Sequence, residues 1–306
     1  MDIIYIIVIL ILLGFLLKYL GILSEKDKVA LNNIVINVAI PATLFLSLLT
    51  NVKASDLSSY FKLTLFILII SLVCAGLSYL IGKALKMDLK SLAAFILVSC
   101  CGNTAFMGFA VCSGFYGVDG FVRAIFCDTA TLFLIIILGT YLGIKVSGQK
   151  VSFVKQIVKF PPMIAWVVTI ILVILGFQIS MLPTFVAITL GYLSGLMVPL
   201  IMISLGLSLS PKYLKVAAVP AILVTAIQLF FAPVLGIGLS HLFSFAPLDR
   251  NVAVIESAMP PAMTPLVFSE IYGMNSKLIS GATFLATVVS LVSIPALHLL
   301  LEAGLI

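Results

Sequence analysis

The sequence predicts an all-α membrane protein with ten transmembrane helices, arranged as an inverted repeat of five plus five helices in which helices 4 and 9 are broken and cross. The first observation is composition: the 306-residue chain is 63% hydrophobic and 9% charged, whereas a soluble domain is about a quarter charged. The second is the length of the apolar runs, which suits helices in lipid and not the alternating strands of a β-barrel. The third is the proline and glycine at the centre of two of these runs.

Ten segments are long and apolar enough for a helix of about 20 residues, the length that crosses the hydrocarbon core of a bilayer. Short loops connect them, and no segment suits a soluble domain. The predicted spans are 2–22, 29–50, 60–83, 91–115, 121–144, 159–178, 184–209, 216–243, 250–273 and 278–302.

The basic residues predict the orientation of these helices. Of the 17 Lys and Arg residues, 13 lie in or beside the loops that follow helices 1, 3, 5, 7 and 9, and four lie on the opposite side. Because basic loops stay in the cytoplasm, we expect a multi-pass protein of the cell membrane with both termini outside. The basic residues form no continuous patch, so we expect no nucleic-acid partner.

Two sequence matches predict an internal repeat. Pro41 in helix 2 and Pro199 in helix 7 lie in similar apolar contexts, and Gly117 and Gly273 end helices 4 and 9 with nearly the same offset. Five helices per half would invert the second copy relative to the first, an architecture that recurs in secondary transporters. The predicted organisation is a first repeat at 1–144, a cytoplasmic linker at 145–158 and a second repeat at 159–306.

Helix 9 cannot run continuously through its centre. Pro260, Pro261 and Pro265 lie within six residues, and each proline inside a helix costs about 3 kcal/mol or more. Backbone groups freed in lipid must be satisfied by protein, water or ligand. We therefore expect an unwound stretch that lines a cavity.

Helix 4 is the expected partner of helix 9. Gly102, Gly108 and Gly114 permit unwinding, and Asn103 and Thr104 place polar side chains at the same depth. The alternative for helix 4 alone is a glycine-rich packing face. The two helices taken together favour a binding site, because the ends of half-helices carry unpaired N–H groups and a partial positive charge that bind anions.

Two carboxylates within predicted spans are candidates for ion coupling, since ionisable groups at membrane depth are costly. Glu256 lies one turn before Pro260, and Asp128 lies inside helix 5. Either would bind Na⁺ or take up H⁺, or would serve as a hydrogen-bonded structural group. Gln228 in helix 8 would line the path or, as the favoured interpretation, pack between helices.

Three motifs resemble those of the auxin efflux carrier family. N-T-x-x-M-G at Asn103–Gly108 is similar to its helix 4, M-P-x-x-x-x-P-x-V-F at Met259–Phe268 to its helix 9, and A-I-P at Ala39–Pro41 to its helix 2. The short central loop resembles the prokaryotic members. One departure is Ala110, where the family commonly has proline, which predicts a less sharply broken helix 4. The architecture also resembles that of sodium–bile-acid symporters, but the acidic and glutamine-bearing crossover motif of those proteins is not found in this sequence.

The resemblance implies a scaffold domain of helices 1, 2, 6 and 7 and a mobile transport domain of helices 3–5 and 8–10. It implies substrate binding at the helix 4/9 crossover, and substrates such as auxin, malate or malonate. We therefore expect an elevator-type secondary transporter of a small organic anion. A ligand-sensing receptor on the same fold and, less favoured, an intramembrane enzyme are the alternatives.

The expected site has no catalytic residues, no metal and no cofactor apart from Na⁺ or H⁺ as a coupling ion. Its partners are the organic anion and the lipid bilayer, and a homodimer is compatible with the sequence. The predicted substrate-binding residues are Asn103 and Thr104 as hydrogen-bonding groups, Pro260 and Pro265 as positions that expose backbone, Gly108 as a point of close approach, and Ser47 as a contact from the scaffold.

Overall fold

The computed structural model describes residues 2–148, 161–208 and 217–306, and the regular elements in these ranges are helices, as predicted. The α-helices are α1 (Asp2–Tyr19), α2 (Glu25–Ile34), α3 (Ile40–Asn51), α4 (Leu57–Ala84), α5 (Leu89–Cys100), α6 (Phe109–Ser147), α7 (Pro161–Ile174), α8 (Thr184–Gly195), α9 (Met197–Ser208), α10 (Ala218–Ala226), α11 (Ala232–Phe243), α12 (Pro247–Ser257), α13 (Thr264–Tyr272) and α14 (Ser276–Glu302). Shorter π-helical segments cover Val35–Ala39, Thr104–Gly108 and Ile227–Phe231, and 3-10 turns cover Ala54–Asp56 and Ile179–Met181.

Within the described residues, six helical segments are long and apolar enough to cross a membrane. They are Lys26–Asn51, Ala54–Ala84, Thr104–Ser147, Thr184–Leu207, Ala218–Phe243 and Ser276–Glu302. Three further apolar helices are shorter: Tyr5–Tyr19, Leu89–Cys100 and Pro161–Ile174. The ten crossings and the inverted repeat therefore stay predictions, while the helical and strongly apolar character of the chain is confirmed.

Helix 4 of the prediction is broken. Its first half, α5, ends at Cys100, and helical structure resumes at Thr104. The second half then continues into α6, where Gly117 has φ 64° and ψ −151°. Glycine adopts such a conformation without the steric cost that a Cβ would bring. This kink separates the end of predicted helix 4 from predicted helix 5.

Helix 9 of the prediction is broken as well. Its first half, α12, ends at Ser257, and α13 begins at Thr264. Pro260 and Pro261 lie in the non-helical stretch between them. Pro265 is the second residue of α13, where its missing N–H removes no intrahelical bond.

The chain divides into two compact units, each built from separated stretches of sequence. The first unit comprises 1–61, 109–125 and 154–209, and the second comprises 62–108, 126–153 and 210–306. Each unit therefore draws on both halves of the chain.

In the first unit, α1 and α9 pack so closely that glycine is required at their contact. A Cβ at Gly14 would lie 2.9 Å from the Cα of Ile203 and closer still to its carbonyl oxygen. A Cβ at Gly206 would lie 2.8 Å from the backbone nitrogen of Phe15 and closer still to the Ile11 carbonyl oxygen. Small residues that let backbones approach are a general device of helices in membranes.

In the second unit, aromatic rings of α13 lie against glycines of α6. A Cβ at Gly139 would lie 2.8 Å from the ring of Phe268, and one at Gly143 would lie 2.5 Å from the ring of Tyr272. These contacts fix the position of α13, the second half of the broken helix 9. On the other side of the break, α12 contacts α11 and α14.

The predicted cytoplasmic linker at 145–158 falls mostly outside the described residues. Its first residues belong to α6, which ends at Ser147 with Gly148 in the left-handed conformation. Five of the lysines that contribute to the predicted orientation also lie outside the described ranges. They are Lys150, Lys155, Lys159, Lys212 and Lys215.

Candidate functional site

The two unwound segments lie side by side in the second unit and pair through their backbones. Gly102 and Pro261 form an isolated antiparallel bridge. The flanking hydrogen bonds run from Asn103 N–H to the Pro260 carbonyl (2.7 Å) and from Ala262 N–H to the Cys101 carbonyl (2.9 Å). Each broken helix thus satisfies backbone groups that the other has freed, which is the condition for unwound chain at membrane depth.

Asn103 presents an unsatisfied amide at this crossover. The residue is 2% exposed, and neither its Nδ2 nor its Oδ1 has a hydrogen-bond partner among the described residues. A buried polar group without a partner costs about 1–3 kcal/mol. Its donor and acceptor together are suited to a polar guest.

Thr104 lies next to Asn103 and links the crossover to α6. Its hydroxyl donates a hydrogen bond of 2.6 Å to Oδ1 of Asp128. Thr104 is buried and Asp128 is partly buried. The structure therefore brings together two predicted site residues that lie 24 positions apart in the chain.

Glu256 and Gly108 are in direct contact. Glu256 is the penultimate residue of α12 and is 1% exposed. Its carboxylate lies where a Cβ of residue 108 would stand, with the carboxylate carbon 2.7 Å from that position. The glycine predicted as a point of close approach for the substrate thus makes its close approach to a carboxylate of the protein.

The remaining predicted residues are placed differently. Pro260 presents its carbonyl to Asn103, so that group is already bonded, and Pro265 begins α13. Ser47 lies in α3, within the first unit. Its predicted contact with the substrate stays a prediction.

A small polar cavity adjoins the crossover within the second unit. It has a volume of about 20 Å³, which accommodates one water-sized guest. The polar side chains that line it are the hydroxyls of Ser71, Ser99, Thr104, Thr131 and Ser257, the amide of Gln228 and the carboxylate of Glu256. An organic acid of several heavy atoms needs more room than this.

Gln228 and Ser99 belong to this cavity, although the sequence interpretation favoured packing for Gln228 and did not single out Ser99. Gln228 lies in the π-helical segment between α10 and α11 and donates from Nε2 to the Val98 carbonyl at 3.0 Å. The only sequence signal was a lone amide within an apolar run. Gln228 and Val98 lie 130 positions apart in the chain, which explains why sequence spacing could not predict their contact.

Comparisons with known proteins agree with a transport role. The family model described as "Membrane transport protein" matches residues 1–156 and 144–298. A protein of Methanocaldococcus jannaschii, named an uncharacterized transporter, is 42% identical over 296 residues, which cover 96% of each chain. An uncharacterized transporter of Methanothermobacter thermautotrophicus is 36% identical over 290 residues, which cover 94% of each chain.

Proposed function

This chain belongs to the membrane transport protein family, the family of the auxin efflux carriers, and we propose that it is a secondary transporter of a small organic anion. The family and the apolar helices make it a multi-pass protein of a lipid bilayer. The observation that carries the proposed substrate class is the pair of interrupted helices at Gly102 and Pro261.

The proposed anion binds at the N-terminal ends of the two half-helices that follow the breaks. Helical structure begins again at Thr104 and at Thr264, and the first N–H groups of a helix lack intrahelical partners and carry partial positive charge. Asn103, whose buried amide has no partner among the described residues, supplies a donor beside the first of these ends. This combination supports a carboxylate as the recognised group.

The proposed mechanism is alternating access of the elevator type. The two compact units support it, since the residues 2–50 and the described part of 159–208, predicted as scaffold, fall in the first unit. The crossover, Glu256 and Asp128 fall in the second. One boundary differs from the expected one, because 109–125 clusters with the first unit. The 20 Å³ cavity implies that the crossover opens further when an organic acid binds.

The proposed driving force is a coupled ion, Na⁺ or H⁺. The carboxylate of Glu256 lies against Gly108, and the carboxylate of Asp128 accepts a hydrogen bond from the Thr104 hydroxyl. Both carboxylates are therefore in contact with the segment proposed to bind the substrate. A location in the cell membrane with both termini outside, and assembly as a homodimer, complete the proposal.

The experiment that tests this function is uptake of radiolabelled malate, malonate and an auxin-like acid into proteoliposomes. We expect saturable uptake of at least one acid, and a loss of roughly tenfold or more in Asn103→Ala, because a buried hydrogen bond to a charged group is removed. Pro265→Ala should also reduce uptake by altering the start of α13. Asn51→Ala, an exposed asparagine in the first unit, is the matched control.

Unchanged uptake in both Asn103→Ala and Pro265→Ala would show that the substrate binds elsewhere. Saturable binding of an acid without any flux would favour the ligand-sensing receptor over the transporter.

A further inference from the structure

The small cavity beside the crossover is lined by polar side chains from six helical segments, and four of these segments supply the proposed ligands. Ser99 comes from α5, Thr104 from the resumed half of helix 4, Gln228 from the segment before α11, and Glu256 and Ser257 from α12. We infer that this cavity is a binding site for a single dehydrated Na⁺ ion, held by Glu256, Gln228, Ser99, Thr104 and Ser257. The inference rests on the proposed transport function and commits its coupling ion to Na⁺.

Three of the side chains that line the cavity already donate a hydrogen bond to another group of the protein. Gln228 donates from Nε2 to the Val98 carbonyl (3.0 Å), Thr104 donates to Asp128 (2.6 Å), and Ser257 donates to the Val254 carbonyl (2.7 Å). Thr104 and Ser257 have therefore used their single hydroxyl hydrogen, and Gln228 has used one of its two amide hydrogens, so the oxygen atoms of all three keep lone pairs for the cavity. Oxygen lone pairs are the ligands that hard cations take.

Two of the lining oxygens are buried without a partner. Gln228 is 3% exposed and Ser99 is fully buried, and neither Oε1 of Gln228 nor Oγ of Ser99 has a hydrogen-bond partner among the described residues. Leaving such atoms unsatisfied costs about 1–3 kcal/mol each. A bound cation removes both costs at once, because it accepts lone pairs from several directions.

The ends of two half-helices add to the preference for a cation. Ser99 and Cys100 form the C-terminal end of α5, and Glu256 and Ser257 form that of α12. A helix C-terminus carries partial negative charge and unpaired carbonyls. The crossover thus has two chemically distinct sides. The N-termini of half-helices are available to the substrate anion, and the C-termini of half-helices are available to the cation, as broken helices in transporters permit.

Size and charge select among cations. The volume of about 20 Å³ admits one ion without its hydration shell. The lining carries one carboxylate, and none of the described residues that line it is Lys, Arg or His. Ca²⁺ takes six to eight oxygens, commonly with several carboxylates, and Mg²⁺ keeps part of its water. A small monovalent ion fits both limits.

The test is the binding of radioactive Na⁺ to the purified full-length protein, measured by scintillation proximity at fixed pH and ionic strength. We expect saturable binding that unlabelled Na⁺ displaces and that equal concentrations of K⁺ or choline do not. Glu256→Gln should abolish it, and Gln228→Leu should weaken the apparent affinity by roughly tenfold or more, since a contact to a charged group is lost. Glu270→Gln, the same change at an exposed position of α13, should bind like the wild type.

Absence of saturable binding in the wild-type protein would overturn the inference, as would wild-type affinity in both Glu256→Gln and Gln228→Leu. If Glu256→Gln does not fold, the wild type and Gln228→Leu decide between these outcomes. Equal displacement by K⁺ would also contradict a site of this size. Because the assay involves no organic acid, intact Na⁺ binding without carboxylate flux would support this inference and overturn the proposed function.

Discussion

Gly108→Ala is expected to abolish transport while leaving the protein folded. The carboxylate of Glu256 occupies the space of the added methyl group, with its carbon 2.7 Å from the Cβ position. The carboxylate is the far end of a side chain and can turn away from the added methyl group. The free energy of unfolding should therefore fall by only about 1–3 kcal/mol, as for other overpacked sites. The displaced carboxylate, however, can no longer line the cavity.

Gly108→Ala is measured by carboxylate uptake in proteoliposomes, Na⁺ binding and the thermal unfolding temperature. Gly76→Ala is the matched control, because a Cβ at this position in α4 meets no atom within 4 Å. If Gly108→Ala takes up carboxylate at the wild-type rate and binds Na⁺ with wild-type affinity, the contact between Gly108 and Glu256 has no functional role.

Gly206→Ala should have the opposite profile, a large loss of stability in the first unit. Here the added methyl group meets backbone atoms of α1, the carbonyl oxygen of Ile11 and the nitrogen of Phe15. Backbone cannot rotate aside as a side chain can, so α1 and α9 must separate. We expect a loss of about 3 kcal/mol or more, the upper end for overpacking.

The effect of Gly206→Ala is read from the unfolding temperature and the yield of monodisperse protein in detergent. Gly191→Ala in α8 is the control, since a Cβ there has nothing within 4 Å, and alanine in a helix favours stability by about 0.5–1 kcal/mol over glycine. Equal stability of the two variants would contradict the close packing of α1 against α9.

The interruptions of helices 4 and 9 could be predicted from local chemistry. Pro260 and Pro261 lie in the unwound stretch, as the cost of proline inside a helix requires. The break in helix 4 lies between Cys100 and Thr104, before Gly108. It therefore does not depend on a proline at position 110, and the pairing of Gly102 with Pro261 stabilises it instead.

The number of membrane crossings could not be determined from helix length, because a broken helix consists of two segments that are each too short to cross the membrane alone. At 1.5 Å per residue, the 12 residues of α5 span about 18 Å, less than the ~30 Å hydrocarbon core. A criterion of length therefore omits α5, although it continues past the break into Thr104–Ser147.

Contacts between residues that lie far apart in the chain could not be predicted from sequence patterns. Nothing in the apolar runs distinguishes Gly206, where an added Cβ would meet the backbone of α1, from Gly191, where an added Cβ would meet no neighbouring segment within 4 Å. Likewise, the pairing of Gln228 with Val98 depends on how the helices pack. A cavity at the break was predicted, but most of the side chains that line it could be identified only from the structure.

The central claim is that two interrupted helices recognise a negatively charged organic group, and ligand binding to the purified protein tests it most directly. A thermal-shift comparison of small carboxylic acids with their neutral amides serves this purpose, since a ligand at about 100 times its Kd stabilises the folded state by about 2.7 kcal/mol. The account predicts that at least one acid raises the unfolding temperature in a saturable manner, that its amide does not, and that Asn103→Ala loses the response. An acid and its amide that stabilise the protein equally, or an unchanged response in Asn103→Ala, would contradict it.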